Sequence, residues 1–228
     1  MGKEIEQIAL QRGHEIALKI DVNNINSIVK DDLKNCDVAI EFSTPASAIS
    51  NMIRCFEANI PVVVGTTGWY DRLEKVKKIC DENNGCLFYA SNFSIGVNVF
   101  FKLNDVLAKM MNKYNDYNVS IEETHHVHKL DSPSGTAITL ANQITTNLKR
   151  KIKWVNSKTK KSEELEIISK RENEVTGTHI VKYISGIDDI EIMHKAHNRK
   201  GFAMGAVLAA EFAMGKKGIF GMNDLMTL

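Results

Sequence analysis

Two rhythms of apolar and polar positions alternate along the first part of the chain, one helical and one extended. Residues 3–12 (KEIEQIALQR) place Ile5, Ile8 and Ala9 on one helical face, and Gly13 is a natural C-cap. EIALKI (15–20) reads as a strand ending at Asp21, and DVAIEF (37–42) is a second apolar run. After Ser-Thr-Pro comes the helical pattern PASAISNMIRCFEAN, then PVVVGTTG (61–68), a buried strand running into a glycine-bounded turn. YDRLEKVKKICDENN continues as helix and CLFYAS (86–91) as strand. Strands alternating with helices of roughly 10–15 residues predict an α/β fold, a Rossmann-like doubly wound parallel sheet.

The rhythm changes near residue 96. A long helical segment, VNVFFKLNDVLAKMMNKY, leads into the strand YNVSIEETHH, and a helix is expected from Ser134 to about Lys149. LEIISKR, HIVKYIS and DDIEIMHKAH then follow closely, as strands of a mixed or antiparallel sheet do. This predicts a second, α+β domain over 95–202 for substrate binding and oligomerisation, with 1–94 and 203–228 forming the dinucleotide-binding domain. The apolar helix GFAMGAVLAAEFAMGKK is what would return the chain to the first domain.

Composition narrows the function classes. With 29 Lys+Arg against 28 Asp+Glu, the formal charge is +1, which argues against a dedicated nucleic-acid binder. No apolar run reaches the ~18 residues a membrane span needs, and the start has no signal-peptide core, so a cytoplasmic protein is expected. Cys36, Cys55, Cys80 and Cys86 lack CxxC spacing and read as reduced core thiols. From Lys149 to Lys161 the chain has seven Lys/Arg and no acid, but Glu163, Glu164 and Glu166 follow at once; it is taken as a solvated connection.

Ligands of parallel α/β sheets bind beyond the carboxyl ends of the strands, and three of those ends stand out. Asp21 ends the first visible strand, either as an ordinary strand-end acid or as a ligand of ribose hydroxyls. Gly65, Thr66 and Thr67 form a small-residue turn open to a ligand's approach, or a plain βα turn. Ala90, Ser91, Asn92 and Phe93 leave the next strand as a binding segment or as an interdomain linker. The densest chemistry is THHVHKLDSPSGTA (124–137), with His125, His126, His128 and Lys129 just ahead of a helix start at Ser134-Gly135-Thr136. A proton-transfer group, a cation and a helix N-terminus in one short segment suit acid catalysis on a carboxylated substrate. A metal site is the sharper rival: if the strand continues, His126 and His128 share a face, and His194 and His197 could add ligands. The absence of HExxH and the adjacent Lys129 oppose it, so no metal is assigned.

EETHHVHKLDSPSGTA closely resembles the signature of the dihydrodipicolinate reductase (4-hydroxy-tetrahydrodipicolinate reductase) family of lysine and diaminopimelate biosynthesis. DVAIEFSTP, VVVGTTG, ASNFSIGVN, TGTH (176–179) and HKAHNRKGFAMGA (194–206) occur in that family's order, so the resemblance spans essentially the whole chain. It implies His125 as acid/base and Lys129 as proton donor, with His126, Gly135 and Thr136 on substrate carboxylates. It also implies NADH or NADPH held by Gly65, Thr66, Thr67, Ala90, Ser91, Asn92 and Phe93, with Asp21 on the ribose. Arg199 and Phe202 lie in a segment that can also approach the cofactor. The implied reaction is reduction of a cyclic imino dicarboxylate by a homotetramer whose two domains close, with hinges near Ser94–Val97 and Lys200–Phe202.

Asp21 is followed by Val22, Asn23 and Asn24 with no cation to pair a 2′-phosphate, so NADH is expected to serve at least as well as NADPH. One departure stands against the family's pattern. Such proteins open with a buried strand and a glycine-rich turn, of which Met1-Gly2-Lys3 matches only the tail. The expectation is a first domain short of that strand and of its pyrophosphate cradle, with weak cofactor affinity or reliance on a partner. The rival functions are a non-catalytic dicarboxylate-binding relative and a metal hydrolase built on His126, His128 and His194.

Overall fold

The computed structural model describes residues 1–198 and 200–227. Two compact units divide the chain, one built from 1–95 with 200–228 and the other from 96–199. The first opens with α1 (Gly2–Gln11), which buries Ile5, Ile8 and Ala9 as their spacing requires. It continues through α2 (Lys30–Leu33), β1 (Ala39–Glu41), α3 (Pro45–Glu57), β2 (Val62–Val64), α4 (Leu73–Glu82) and β3 (Cys86–Tyr89). Pro45 occupies the first turn of α3, where its missing N–H has no intrahelical acceptor to lose. All three residues of β2 are fully buried, the continuous apolar run expected of a central parallel strand.

The segment 15–20 departs from the sequence expectation. Ile16 and Leu18 turn inward while Glu15, Ala17 and Lys19 are exposed, so the period-two alternation is present. Its backbone nonetheless joins no sheet. Alternation decides which side chains are buried; a strand also needs a neighbouring edge to complete its ladder.

The second unit comprises α5 (Ile95–Met111), β4 (Asn118–His125), α6 (Gly135–Asn147), β5 (Lys153–Val155), β6 (Glu164–Arg171), β7 (Gly177–Ile184) and β8 (Asp189–Ala196). Its mixed sheet runs β5-β6-β4-β7-β8, parallel on the β5 side of β4 and antiparallel beyond it. The inward face of β4 begins with Val119 and Ile121 and ends with Glu123 and His125, all buried. Register continues that change across the sheet: Ile121 lies opposite Ile167 and Val181, whereas Glu123 lies opposite Ser169 and His179, and His179 opposite His194. One end of the sheet face is therefore hydrocarbon and the other a row of polar groups.

The basic run 149–161 is not wholly a solvated connection. Residues 153–155 form the edge strand β5, and Lys151 is buried, its Nζ donating to the Glu164 carbonyl at 2.8 Å and to Asn118 Oδ1 at 3.0 Å. The long aliphatic stem lets a lysine cross the core while its ammonium finds oxygen acceptors.

The chain then returns to the first unit as α7 (Lys200–Ala213), β9 (Gly218–Phe220) and α8 (Met222–Leu225). β9 pairs with β3 and completes a parallel sheet of order β1-β2-β3-β9. α7 packs on α1 and the sheet through small buried residues, among them Ala203, Gly205, Ala206 and Ala210. The same helix is tied to the end of α1: Glu211 accepts from Arg12 at 2.6 Å and lies 2.8 Å from His14 Nε2. The Arg12 bond, outweighing partial burial and helped by His14, holds the Glu211 carboxyl down at about 2. A depressed carboxyl stabilises the fold above its unfolded value of 4.5 and loses that contribution as pH falls toward about 2. Glu211 and Arg12 are partly exposed, so screening limits the contribution to ~1 kcal/mol or less. Glu211→Gln should lower the melting temperature at pH 7 and less so at pH 3; an equal loss at both would assign it to packing.

Candidate active site

In the first unit the carboxyl ends of β1, β2 and β3 converge. Thr66 is buried and its Oγ1 accepts the Ser43 N–H at 2.7 Å, so this hydroxyl braces the strand ends. The Trp69 indole donates to the Thr66 carbonyl at 2.7 Å and fixes the turn that follows β2. Gly65 is required there, because a Cβ would overlap the Phe42 ring. Phe42 in turn packs on Phe93, with ring centroids 5.8 Å apart. Phe93 is buried, Ala90 nearly so, and Asn92 Oδ1 accepts the Ser94 N–H at 2.9 Å, shaping the strand exit; Ser91 is exposed. Thr67 is exposed beside this cluster.

Asp21 stands apart from these contacts. Its side chain accepts the Asn23 N–H at 2.7 Å and its own N–H donates to Asn24 Oδ1 at 2.8 Å, a local turn on an exposed loop. Of the less specific candidates, Phe202 lies in the first turn of α7, and Arg199 falls outside the described residues.

In the second unit Glu123 is the hub. It is fully buried, and its Oε1 accepts the Ser134 N–H at 3.1 Å and lies 3.4 Å from Arg171 Nη2. Oε2 lies 3.2 Å from His125 Nδ1 and 3.7 Å from His179 Nε2. The Oε2–Nδ1 contact is an ion-pair approach without hydrogen-bond alignment. Burial alone would raise the Glu123 carboxyl, but contacts from His125 and Ser134 outweigh it and hold the group well below the carboxylate range. His179 is pushed down to about 4, first by burial and then by His125, so it is neutral near pH 7. Burial lowers His194 as well.

β4 ends at His125, and the chain turns back at once, the Lys129 N–H bonding to the His126 carbonyl at 3.1 Å. His126 and His128 therefore do not share a strand face; their ring centroids are 6.1 Å apart, and His128 is exposed toward Glu174. Among the described residues the group that could surround a cation is instead Glu123, His125 and His179. Arg171 already contacts that carboxylate, and Lys129 also acts on His179, which disfavours a further positive charge.

Lys129 is held by Asp131 through both carboxylate oxygens, at 2.7 and 2.8 Å. Arg171 secures the loop by donating to the Asp131 carbonyl at 2.7 Å. α6 begins at Gly135, with Ser134 as its cap: Ser134 Oγ accepts the Ala137 N–H at 3.2 Å and pairs with His179 Nε2 at 3.0 Å. The N–H groups of Gly135 and Thr136 thus stand at a helix start without intrahelical acceptors. His125, Lys129 and the start of α6 are joined through Glu123 and Arg171, so the structure gathers the chemistry of one short sequence segment. His126 is half-buried with its Nδ1 unpartnered. Glu123, Asp131, Arg171 and His179 escaped sequence reasoning as site residues, although Glu123 shares the strand face of His125 at a spacing of two.

Strand-end turns on a parallel sheet in one unit and a histidine-lysine cluster beside a helix start in the other define a Rossmann-like α/β protein with a candidate proton-transfer site. Residues 1–93 match the family model for dihydrodipicolinate reductase, N-terminus, and residues 96–226 match that for its C-terminus. The chain belongs to the dihydrodipicolinate reductase family. It is 50% identical over 229 positions to a 4-hydroxy-tetrahydrodipicolinate reductase of Christiangramia forsetii, covering 100% of this chain and 94% of that one. A protein of the same name from Neisseria gonorrhoeae is 32% identical over 98% of this chain and 84% of its own. A solved dipicolinate-bound dihydrodipicolinate reductase from Paenisporosarcina sp. TG-14 shares the fold, with a TM-score of 0.78, 21% identity, and 99% and 95% of the two chains covered. Among the described residues, no helix is long and apolar enough to cross a membrane.

Proposed function

We propose that this chain reduces 4-hydroxy-tetrahydrodipicolinate to tetrahydrodipicolinate with NADH or NADPH, a step of lysine and diaminopimelate biosynthesis. The observation that carries this reading is the joining of His125, Lys129 and the start of α6 around Glu123. The names of the relatives support the substrate, a small cyclic dicarboxylate.

The first unit suits a nicotinamide nucleotide: the Phe42 ring packs over Gly65 and against Phe93, so the strand exits at Gly65, Thr66 and Thr67 and at Ala90, Ser91, Asn92 and Phe93 are braced against each other. A reduced nicotinamide supplies hydride. The chain supplies the rest. The N–H groups of Gly135 and Thr136, with the α6 dipole, hold one substrate carboxylate, and His126 binds a carboxylate alongside. Lys129 leaves Asp131 to polarise the ring nitrogen or a carboxylate. His125 carries the proton that neutralises the developing charge, delivered from Nε2 because Nδ1 faces Glu123. The protein works in the cytoplasm as a homotetramer assembled through the sheet of the second unit.

NADH oxidation by the purified chain, with substrate generated in situ by a coupling enzyme, tests this reading. Turnover is the expected result. Binding of pyridine-2,6-dicarboxylate without any NADH oxidation would overturn it in favour of a non-catalytic dicarboxylate binder. Cofactor choice follows from Asp21, an exposed carboxylate with no cation among Val22, Asn23 and Asn24, which would repel a 2′-phosphate. kcat/KM for NADH should at least equal that for NADPH, and a large NADPH advantage would remove Asp21 from the ribose site.

A further inference from the structure

The row of polar groups at one end of the second unit's sheet contains an ionised carboxylate that the proposed reaction does not itself consume. Glu123 is fully buried: Oε1 accepts the Ser134 N–H and lies near Arg171, while Oε2, which accepts no aligned hydrogen bond, has His125 Nδ1 at 3.2 Å and His179 Nε2 at 3.7 Å. A buried carboxylate is costly to keep charged, and core packing alone would be served as well by a hydrocarbon side chain. The second ring nitrogen of His125 lies elsewhere: a Cβ at Gly177 would come within 3.1 Å of Nε2, so the glycine leaves room beside that atom.

We infer that Glu123 is a positioning residue for proton transfer, turning His125 so that Nδ1 carries its proton toward the carboxylate and Nε2 is presented to the substrate. This rests on the assignment of His125 as the proton-transfer group. The same carboxylate accepts the N–H of Ser134, the cap of α6, so one anion sets the acid/base ring and the dicarboxylate cradle in a common frame. An anion behind Nδ1 fixes the orientation and tautomer of the ring. The other charged or titratable groups facing this pair are Arg171 from β6, His179 from β7, His194 across from it on β8, and Lys129 and Asp131 from the loop after β4. Glu123 is the anion in direct contact with His125.

The test compares the wild-type chain with Glu123→Gln, Glu123→Asp, His125→Ala and the His125→Ala/Glu123→Gln pair. Glu123→Gln should lower kcat at least about tenfold. Glu123→Gln should also move the neutral His125 ring away from the Nδ1-protonated tautomer, as read from its ¹⁵N resonances. Glu123→Asp should restore kcat in part, and Glu123→Gln should add little on top of His125→Ala. An unchanged tautomer, or full additivity in the double variant, overturns the inference while leaving the reductase reading in place. Wild-type turnover by His125→Ala would instead overturn the assignment on which it rests. Should Glu123→Gln fail to fold, the ¹⁵N resonances of His125 in the wild-type chain decide: a neutral ring protonated on Nδ1 supports the inference and one protonated on Nε2 overturns it.

Discussion

Replacing His125 by alanine is expected to lower kcat by at least ~100-fold, the scale on which an acid/base group contributes. The size of the effect follows from placement. His125 ends β4 on its buried face, in register with Arg171 on β6, and its Nδ1 looks into the Glu123 carboxylate at 3.2 Å. Without the imidazole the neighbouring groups do not replace it: Glu123 is an ionised acceptor, His179 is neutral near pH 7, and the Arg171 guanidinium holds its protons. The substitution also removes a ring from the core side of the sheet, where it packs edge-on to His179 with centroids 5.0 Å apart. A stability loss and a chemical loss are therefore separated by measuring both melting temperature and the KM–kcat split. The expected pattern is a large fall in kcat with KM little changed, because the carboxylate cradle at Gly135 and Thr136 is untouched. A variant that retains turnover removes His125 from the mechanism; one that loses substrate affinity in step with kcat makes it a binding residue.

Much of this was legible in the chain itself, and the exceptions share a cause. Helix faces and strand faces are local properties, so α1, α3 and the strands β1–β4 and β6–β8 follow the spacing of their apolar residues. The family signature likewise places His125, Lys129, Gly135 and Thr136 within a dozen positions, and the fold brings them together through a tight turn. What the spacing of residues could not supply is pairing. Residues 15–20 alternate as a strand does, but whether they join a sheet depends on an edge elsewhere in the chain. His179 and Arg171 lie far from Glu123 along the sequence and meet it only through the register of β7 and β6. Lys129 read as a bare cation; the Asp131 carboxylate two residues on holds it until a competing anion arrives. β5 and the buried Lys151 were hidden for another reason: a run of basic residues looks solvated unless the acceptors that wait for it, here the Glu164 carbonyl and Asn118, are known.

The second large effect concerns a residue with no chemistry of its own. Gly205 lies in α7 against the backbone of Phe93, and a Cβ at this position would overlap the Phe93 carbonyl group. The obstacle is main chain, so no rotamer change relieves it; either α7 or the exit from β3 must move. Alanine would gain ~1 kcal/mol of helix propensity, but overpacking a filled core costs ~1–3 kcal/mol and more where backbone must shift. The clash wins. With a net cost of ~2 kcal/mol, Gly205→Ala should lower the melting temperature by roughly 4–8 °C, taking ~2–4 °C per kcal/mol for a chain of this size. It should also weaken NADH binding, because Phe93 packs on Phe42, which fills the space over Gly65, and all three sit at the proposed cofactor segments. Gly201→Ala is the matched control on the same helix: its nearest neighbour, Ser94 Oγ, would lie at 3.5 Å, an ordinary contact. That variant should melt within about a degree or two of wild type and keep its nucleotide affinity, as expected of a change worth under ~0.5 kcal/mol. If Gly205→Ala behaves like Gly201→Ala in both measurements, the close approach of α7 to the Phe93 turn does not hold the cofactor segment in place.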